Sequence, residues 1–192
     1  MSQKITKRLS ALSSLPGIGK RSSQRLILHL MQENQIDSLL QSLQEIKSML
    51  RFCNQCGNLD ECSPCNICMN TNRISSILCL VKSVTDIWTL ENAGCFAGQY
   101  FIISQKSPAS MEIDPNPILD RVKDLGAKEV ICAFDASVSN HVVISYISDI
   151  LKSAMPEIIV TSLARGVPFG GELSNLDEIT LQSAMTGRKS LD

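Results

Sequence analysis

No stretch of this 192-residue chain approaches the ~18 consecutive apolar residues that a membrane-spanning helix needs. A helical transmembrane role is excluded on that ground. Histidine is scarce: His29 and His141 are the only two, and no nucleophile–base pair of the Ser–His or Cys–His kind stands out. The Gly-x4-Gly-Lys-Ser/Thr pattern of a nucleotide-binding loop is also missing. Around Gly19-Lys20, Ser14 stands at the first glycine position, Arg21 stands where Ser or Thr is needed, and a helix rather than a strand precedes. No internal repeat or low-complexity linker is evident, and no apolar segment of a secretory signal follows the first lysines. The basic, acid-free start shares traits with an organelle transit peptide. Leu-Pro-Gly-Ile-Gly followed by an apolar helix reads instead as permanent structure.

Acid of any kind is absent before Glu33. Six basic residues fall in the same stretch: Lys4, Lys7, Arg8, Lys20, Arg21 and Arg25. From Cys53 onward ten basic residues meet sixteen acidic ones, so a basic end is joined to an acidic body although the whole chain is at −1. That asymmetry points to a localised contact with a polyanion, not to a surface that coats nucleic acid throughout. At 44% hydrophobic and 19% charged residues, the chain is globular and sized for one large domain or two small ones.

Eight cysteines are present, and five crowd into "CNQCGNLDECSPCNIC". Cys53-x2-Cys56 and Cys65-x2-Cys68 are two knuckles with eight residues between them. A two-residue spacer lets both sulfurs of a knuckle face one ion, and two knuckles complete a tetrahedral thiolate site with Zn–S near ~2.3 Å. Gly57 and Asn66 suit the tight turns such knuckles need. Cys62-x2-Cys65 is also a knuckle, so Cys62 competes with Cys68; the favoured set is Cys53, Cys56, Cys65 and Cys68. Four thiolates leave no open coordination position, which makes the expected zinc structural, one per chain. Cys79, Cys95 and Cys132 lie in apolar stretches and are expected to be buried small residues.

Ile5, Leu9 and Leu12 have helical spacing over residues 5–14, which Pro16 and Gly17 close. A second helix is expected from about Arg21 to Met31, with Leu26, Ile27, Leu30 and Met31 on its apolar face. The third, with Ile36, Leu39, Leu40, Leu43, Ile46, Met49 and Leu50, has the strongest helical period in the chain. From residue 76, the β-prone runs "ILCLVK", "YFII", "EVICAF" and "EIIVTSL" alternate with the helical "TDIWTLENAG", "NPILDRVKDLG" and "NHVVISYISDILKSA". Such alternation predicts an α/β fold with a helix-covered parallel sheet. The tail opens with a Gly/Pro loop and ends in a short helix. The expected division is a helical unit over 1–52, a zinc module over 53–75, a sheet domain over 76–165 and a tail over 166–192.

"LPGIGKRSSQRL" reads as a helix–hairpin–helix. Gly17 and Gly19 permit unusual dihedrals and remove bulk, so turn amides and the next helix's N-terminus can hold a phosphate oxygen. Lys20, Arg21 and Arg25 add charge beside them. Contacts of this kind read the backbone, not bases. Two other readings are a plain connector with a solvated basic face and a dimerisation element; the last can coexist with DNA contact. Phosphodiester chemistry would need clustered carboxylates around Mg²⁺. The strand "ILCLVK" ends in a cation, Lys82, and Asp135 with Asp86 makes a thin metal site. A scaffold without turnover is the stronger reading, and no catalytic residue is assigned.

In order along nearly the whole chain, "LPGIGKRSSQRL", "CNQC…CNIC", "TDIWTLENAGCFAGQYFII" and "ARGVPFGGELSNLDEITLQSAMTGR" resemble the bacterial recombination mediator family RecR, the third segment being similar to its Toprim domain. The resemblance implies a non-enzymatic, cytoplasmic, nucleoid-associated protein. It implies dimers or tetrameric clamps on DNA, working with RecO and RecF in repair of single-strand gaps to help load RecA. Carried over, Gly17, Gly19, Lys20, Arg21 and Arg25 would face DNA, and Cys53, Cys56, Cys65 and Cys68 would hold zinc. The Toprim part would receive RecO and RecF, and residues 166–188 would join subunits. The chain departs from the family at Lys82, where glutamate is common, in the loop holding Ser107-Pro108, and at Val138-Ser139-Asn140 in place of Val-Glu-Gly.

Overall fold

A computed structural model describes residues 9–103, 105–107, 110–135, 137–164, 166–168 and 170–188; for 105–107, 110–112 and 138–139 it describes the backbone alone. Lys4, Ile5, Lys7, Arg8, Pro108 and Ala136 lie outside the described residues. The chain divides into two compact units, Met1–Leu50 and Arg51–Asp192.

The first unit holds α1 (9–13), α2 (Lys20–Gln32) and α3 (Ile36–Met49). In α2, Ser23 and Leu30 are buried, and the Ser23 hydroxyl donates to the Lys20 carbonyl at 2.9 Å. Met31, placed by its spacing on the apolar face, is exposed instead. Helix α3 has no buried residue: Leu39, Leu40, Leu43, Ile46 and Met49 are all exposed. Periodicity establishes that these side chains share a face; it does not supply the surface that would cover it.

The second unit opens with the two-residue strands β1 (Arg51–Phe52) and β2 (Leu59–Asp60), paired antiparallel, followed by α4 (Asn66–Met69). Then come β3 (Ile74–Val81), α5 (Val84–Ala93), β4 (Gly98–Ile102), β5 (Gln105–Ser107), β6 (Ser110–Ile113), α6 (Asn116–Leu125), β7 (Glu129–Cys132), α7 (Val138–Ala154) and β8 (Ile159–Ser162). A 3₁₀ turn at Leu173–Asn175 and α8 (Glu178–Thr186) close the chain.

Strands β4-β3-β7-β8 form one sheet in that order, parallel throughout. Alternation along β3 sends Leu78 and Leu80 to one face and Cys79 and Val81 to the other. The first pair packs with Val130, Cys132, Ile118 and Val122 of α6, and Val143, Ile147 and Leu151 of α7. The second packs with Tyr100 and Ile87 of α5. This three-layer arrangement is the α/β architecture expected from the alternating runs, Toprim-like as the resemblance implies, and it explains why Leu78–Val81, the second half of β3, are apolar without a break: all four are buried, on both faces of the sheet. Each buried leucine or isoleucine there contributes roughly 1.5–3 kcal/mol relative to exposure.

Strands β5 and β6 form an antiparallel hairpin in a segment expected to be a loop. Their pairing is made by backbone groups, and "QKS" carries no alternating apolar signal to announce it.

Candidate metal centre and nucleic-acid interface

The first knuckle is the turn between β1 and β2. The Cys53 amide donates to the Asn58 carbonyl at 2.7 Å, and the Gly57 amide donates back to the Cys53 carbonyl at 2.9 Å. Gly57 sits at φ +81°, and a Cβ there would lie 3.2 Å from the Ile102 Cβ, so both the dihedral and the close approach call for glycine. The second knuckle leads into α4, for which Cys65 is the N-cap. Asp60 ties the two together: its carboxylate accepts from the Asn66 amide at 2.8 Å and from the Asn66 side chain at 3.2 Å.

This geometry gathers the sulfurs of Cys53, Cys56, Cys65 and Cys68 within 4.8 Å of one another. Cys56 and Cys65 are 3.5 Å apart, Cys53 and Cys68 3.9 Å. Cys62 stands apart, with its sulfur 3.8 Å from the Asn66 carboxamide oxygen. The first three of the clustered cysteines are buried and Cys68 is half-buried. Burial pushes the Cys53 thiol up, but amides of Cys65, Cys56 and Gln55 aimed at its sulfur outweigh that and bring it to about 7. Burial lifts Cys65 to about 11, while Cys56 is raised by its contact with Cys68 and by burial. Four crowded sulfurs resist becoming thiolates together unless a cation joins them. The donor set, all sulfur and four in number, suits tetrahedral zinc.

The module is fastened to the sheet. The Ile102 amide donates to the Cys56 carbonyl at 2.9 Å, and Ile67 packs against both the cysteines and the Tyr100 side of the sheet. From α6, Arg121 reaches across: one terminal nitrogen donates to the Cys68 sulfur and the other to the Gln55 carboxamide oxygen, each at 3.3 Å. Arg121 was not among the residues that the sequence singled out. Its signal was there, since it shares the helical stripe of Ile118, Val122 and Leu125, where a charge needs a buried partner.

In the first unit, the turn after α1 is held by the Ile18 amide on the Leu15 carbonyl at 3.1 Å, with Gly17 at φ +78°. Gly17 has open space around it, so the dihedral and not crowding requires glycine. Gly19 differs from expectation: its φ of −80° and ψ of 171° are ordinary extended values. It is the N-cap of α2, with no side chain folded over the helix start, and the first amides of α2 have no partner within the helix. No acidic residue lies in that first turn. Lys20, Arg21 and Arg25 are exposed, and none has an ion-pair partner among the described residues.

At the end of β3, Lys82 lies 3.9 Å from the Asp135 carboxylate. Asp135 also accepts from Ser137, which with Lys82 holds its carboxyl below the usual carboxylate range. Asp86 is occupied as a helix cap, accepting from the Lys82 and Ser83 amides at 3.1 and 2.9 Å while its own amide is met by the Ser83 hydroxyl. The two carboxylates therefore serve a cation and a cap.

Of the remaining cysteines, Cys79 and Cys132 are buried and pushed up to about 12 by that burial. Cys95 is exposed, contrary to expectation, because it follows the end of α5 in a loop that leaves the sheet's core. Alkylation of the zinc-loaded native protein at about pH 8 should label Cys95 and spare Cys79 and Cys132, as peptide mass mapping would show.

Three family models match: the RecR helix-hairpin-helix over residues 6–47, the RecR four-cysteine zinc finger domain over 50–70 and the RecR C-terminal segment over 166–189. Relatives named "Recombination protein RecR" align end to end. That of Novosphingobium aromaticivorans is 36% identical over 98% of each chain. The chain belongs to the RecR family. A Cereibacter sphaeroides RecR is 35% identical over 96% of each chain, and one from Bifidobacterium adolescentis is 32% identical over 97% of this chain and 96% of its own. The RecR zinc-finger model lies over the sulfur cluster, and the residues fit the ion: the chain carries one structural zinc. The RecR hairpin model spans the turn at Gly17–Gly19 together with α2 and most of α3. No helix among the described residues is long and apolar enough to cross a membrane.

Proposed function

We propose that the chain is a non-enzymatic, DNA-binding recombination mediator. It acts with RecO and RecF in repair of single-strand gaps, promotes RecA loading, and holds the DNA backbone as an oligomeric clamp in the cytoplasm, at the nucleoid. The observation that carries the reading is the start of α2: uncapped amides beside exposed Lys20, Arg21 and Arg25, with no acid in the turn. Gly17 and Gly19 complete that phosphate-facing hairpin. Amide donors at a helix N-terminus with adjoining cations suit phosphate oxygens and are indifferent to base identity.

Cys53, Cys56, Cys65 and Cys68 are the proposed zinc ligands, with Cys62 outside the set. The work divides among a DNA-binding and dimerisation unit (1–52), the zinc module (53–75), a Toprim-like platform for RecO and RecF (76–165) and an oligomerisation tail (166–192). Two apolar surfaces support homodimers or tetramers: the uncovered face of α3, and the tail, where Leu173, Ile179 and Met185 are exposed. Oligomers make weak phosphate contacts useful by raising effective concentration. The absence of turnover is supported by the sheet end, where Lys82 occupies the place of a metal ligand and Asp86 is a cap.

Native mass spectrometry with and without a DNA oligomer tests the whole reading. The expected species are a dimer or tetramer with one zinc per chain that takes up DNA. A zinc-loaded monomer that ignores DNA would overturn it.

A further inference from the structure

A zinc ion bound by four thiolates carries a net charge of −2, and placing it in a mostly buried site is costly unless donors face the sulfurs. Three sulfurs are served by the knuckles themselves. Cys53 accepts from the Gln55 and Cys65 amides at 3.4 and 3.3 Å and Cys56 from the Asn58 amide at 3.4 Å, and the Cys68 backbone tempers the rise that burial gives the Cys65 thiol. The fourth sulfur is served from elsewhere: for Cys68, the N–H donor among the described residues is Arg121, 53 positions further along the chain.

Arg121 has a matching need. It is only 7% exposed, and no carboxylate pairs with it among the described residues. A guanidinium cannot shed its proton to escape burial. Its two terminal nitrogens are committed to Cys68 and Gln55, so among the groups it touches the sulfur cluster is the one that can become anionic and balance it.

We propose that Arg121 is the outer-sphere positioning residue of the zinc centre, neutralising charge at Cys68 and tying metal occupancy to the packing of α6 on the sheet. This rests on the ligand set proposed above. The zinc module is then more than a local staple. Loss of the ion strands a buried cation on the helix that supplies Ile118 and Val122 to the core, so removing zinc loosens the sheet layer as well as the knuckles.

The test uses the full-length protein and its Arg121→Gln, Arg121→Lys and Ile118→Ala variants. Zinc affinity is read by chelator competition, and the centre itself by the sulfur-to-metal charge-transfer band of the cobalt(II)-substituted protein. Arg121→Gln should weaken zinc binding by roughly 10- to 100-fold, the usual effect of removing an outer-shell partner, and should shift the band. Arg121→Lys should fall between it and the wild type, and remains informative if the glutamine variant does not fold. Ile118→Ala loosens α6 but keeps the guanidinium, so it should leave the band in place and weaken zinc binding less than Arg121→Gln does. An unmoved band and unchanged affinity in folded Arg121→Gln would sink this inference alone, as would an equal shift in Ile118→Ala. A wild-type protein without a tetrathiolate cobalt band would sink the ligand set and the inference together.

Discussion

Reversing the two cations at the start of α2, Lys20→Glu with Arg21→Glu, should weaken DNA binding on the order of 10- to 100-fold at moderate salt, since neutralising one phosphate is worth roughly one tenfold step. The log–log salt slope should fall by about 2 per chain, one for each phosphate no longer neutralised. The weakening should be uniform across oligonucleotide sequences, because the proposed contacts read backbone. Zinc content and thermal unfolding should not change, since both side chains are exposed and neither forms an ion pair among the described residues. Fluorescence anisotropy titrations at several salt concentrations give affinity and slope together. Affinity that stays at the wild-type level would remove the hairpin from the DNA interface and leave the connector reading of Pro16–Gly19.

Replacing Cys68 by serine should abolish stoichiometric zinc, whereas Cys62→Ser should retain one ion per chain. The contrast follows from position: Cys68 lies within 4.8 Å of the other three sulfurs, and Cys62 turns toward Asn66. Structural zinc supplies about 10–16 kcal/mol in small modules, comparable with the whole stability of a typical domain. The β1–β2 hairpin and α4, at two, two and four residues, have little core beyond the cysteines and Ile67. Loss of the ion should therefore unfold residues around the knuckles, with a lowered and broadened melting transition. Metal analysis of the two purified variants decides the assignment; zinc retained in Cys68→Ser and lost in Cys62→Ser would reverse it.

Much of the fold was legible in the sequence, for local reasons. Leu26, Ile27 and Leu30 recur at helical spacing, and α2 forms where they do. Short β-branched runs separated by amphipathic segments became a parallel sheet with α5 on one face and α6 and α7 on the other. What resisted reading lacked a local signature. The β5–β6 hairpin is polar in its first strand, and the exposure of Cys95 depends on where a loop leaves the core rather than on its neighbours in sequence. Asp86 is one more case: a carboxylate just after a strand suits metal binding as well as capping, and only the Ser83 partnership shows which it does.

The sequence by itself determined the basic hairpin, the pair of knuckles and the alternation of the four parallel strands with α5, α6 and α7, because spacing, glycine placement and charge act over a few residues. Tertiary structure decided which four of five crowded sulfurs converge, that the apolar face of α3 is exposed, and that Arg121 meets Cys68 across 53 positions. Those outcomes depend on how distant segments pack. A thiolate cluster and a buried guanidinium each become tolerable through the other's charge, a relation that no neighbouring residue in the chain records.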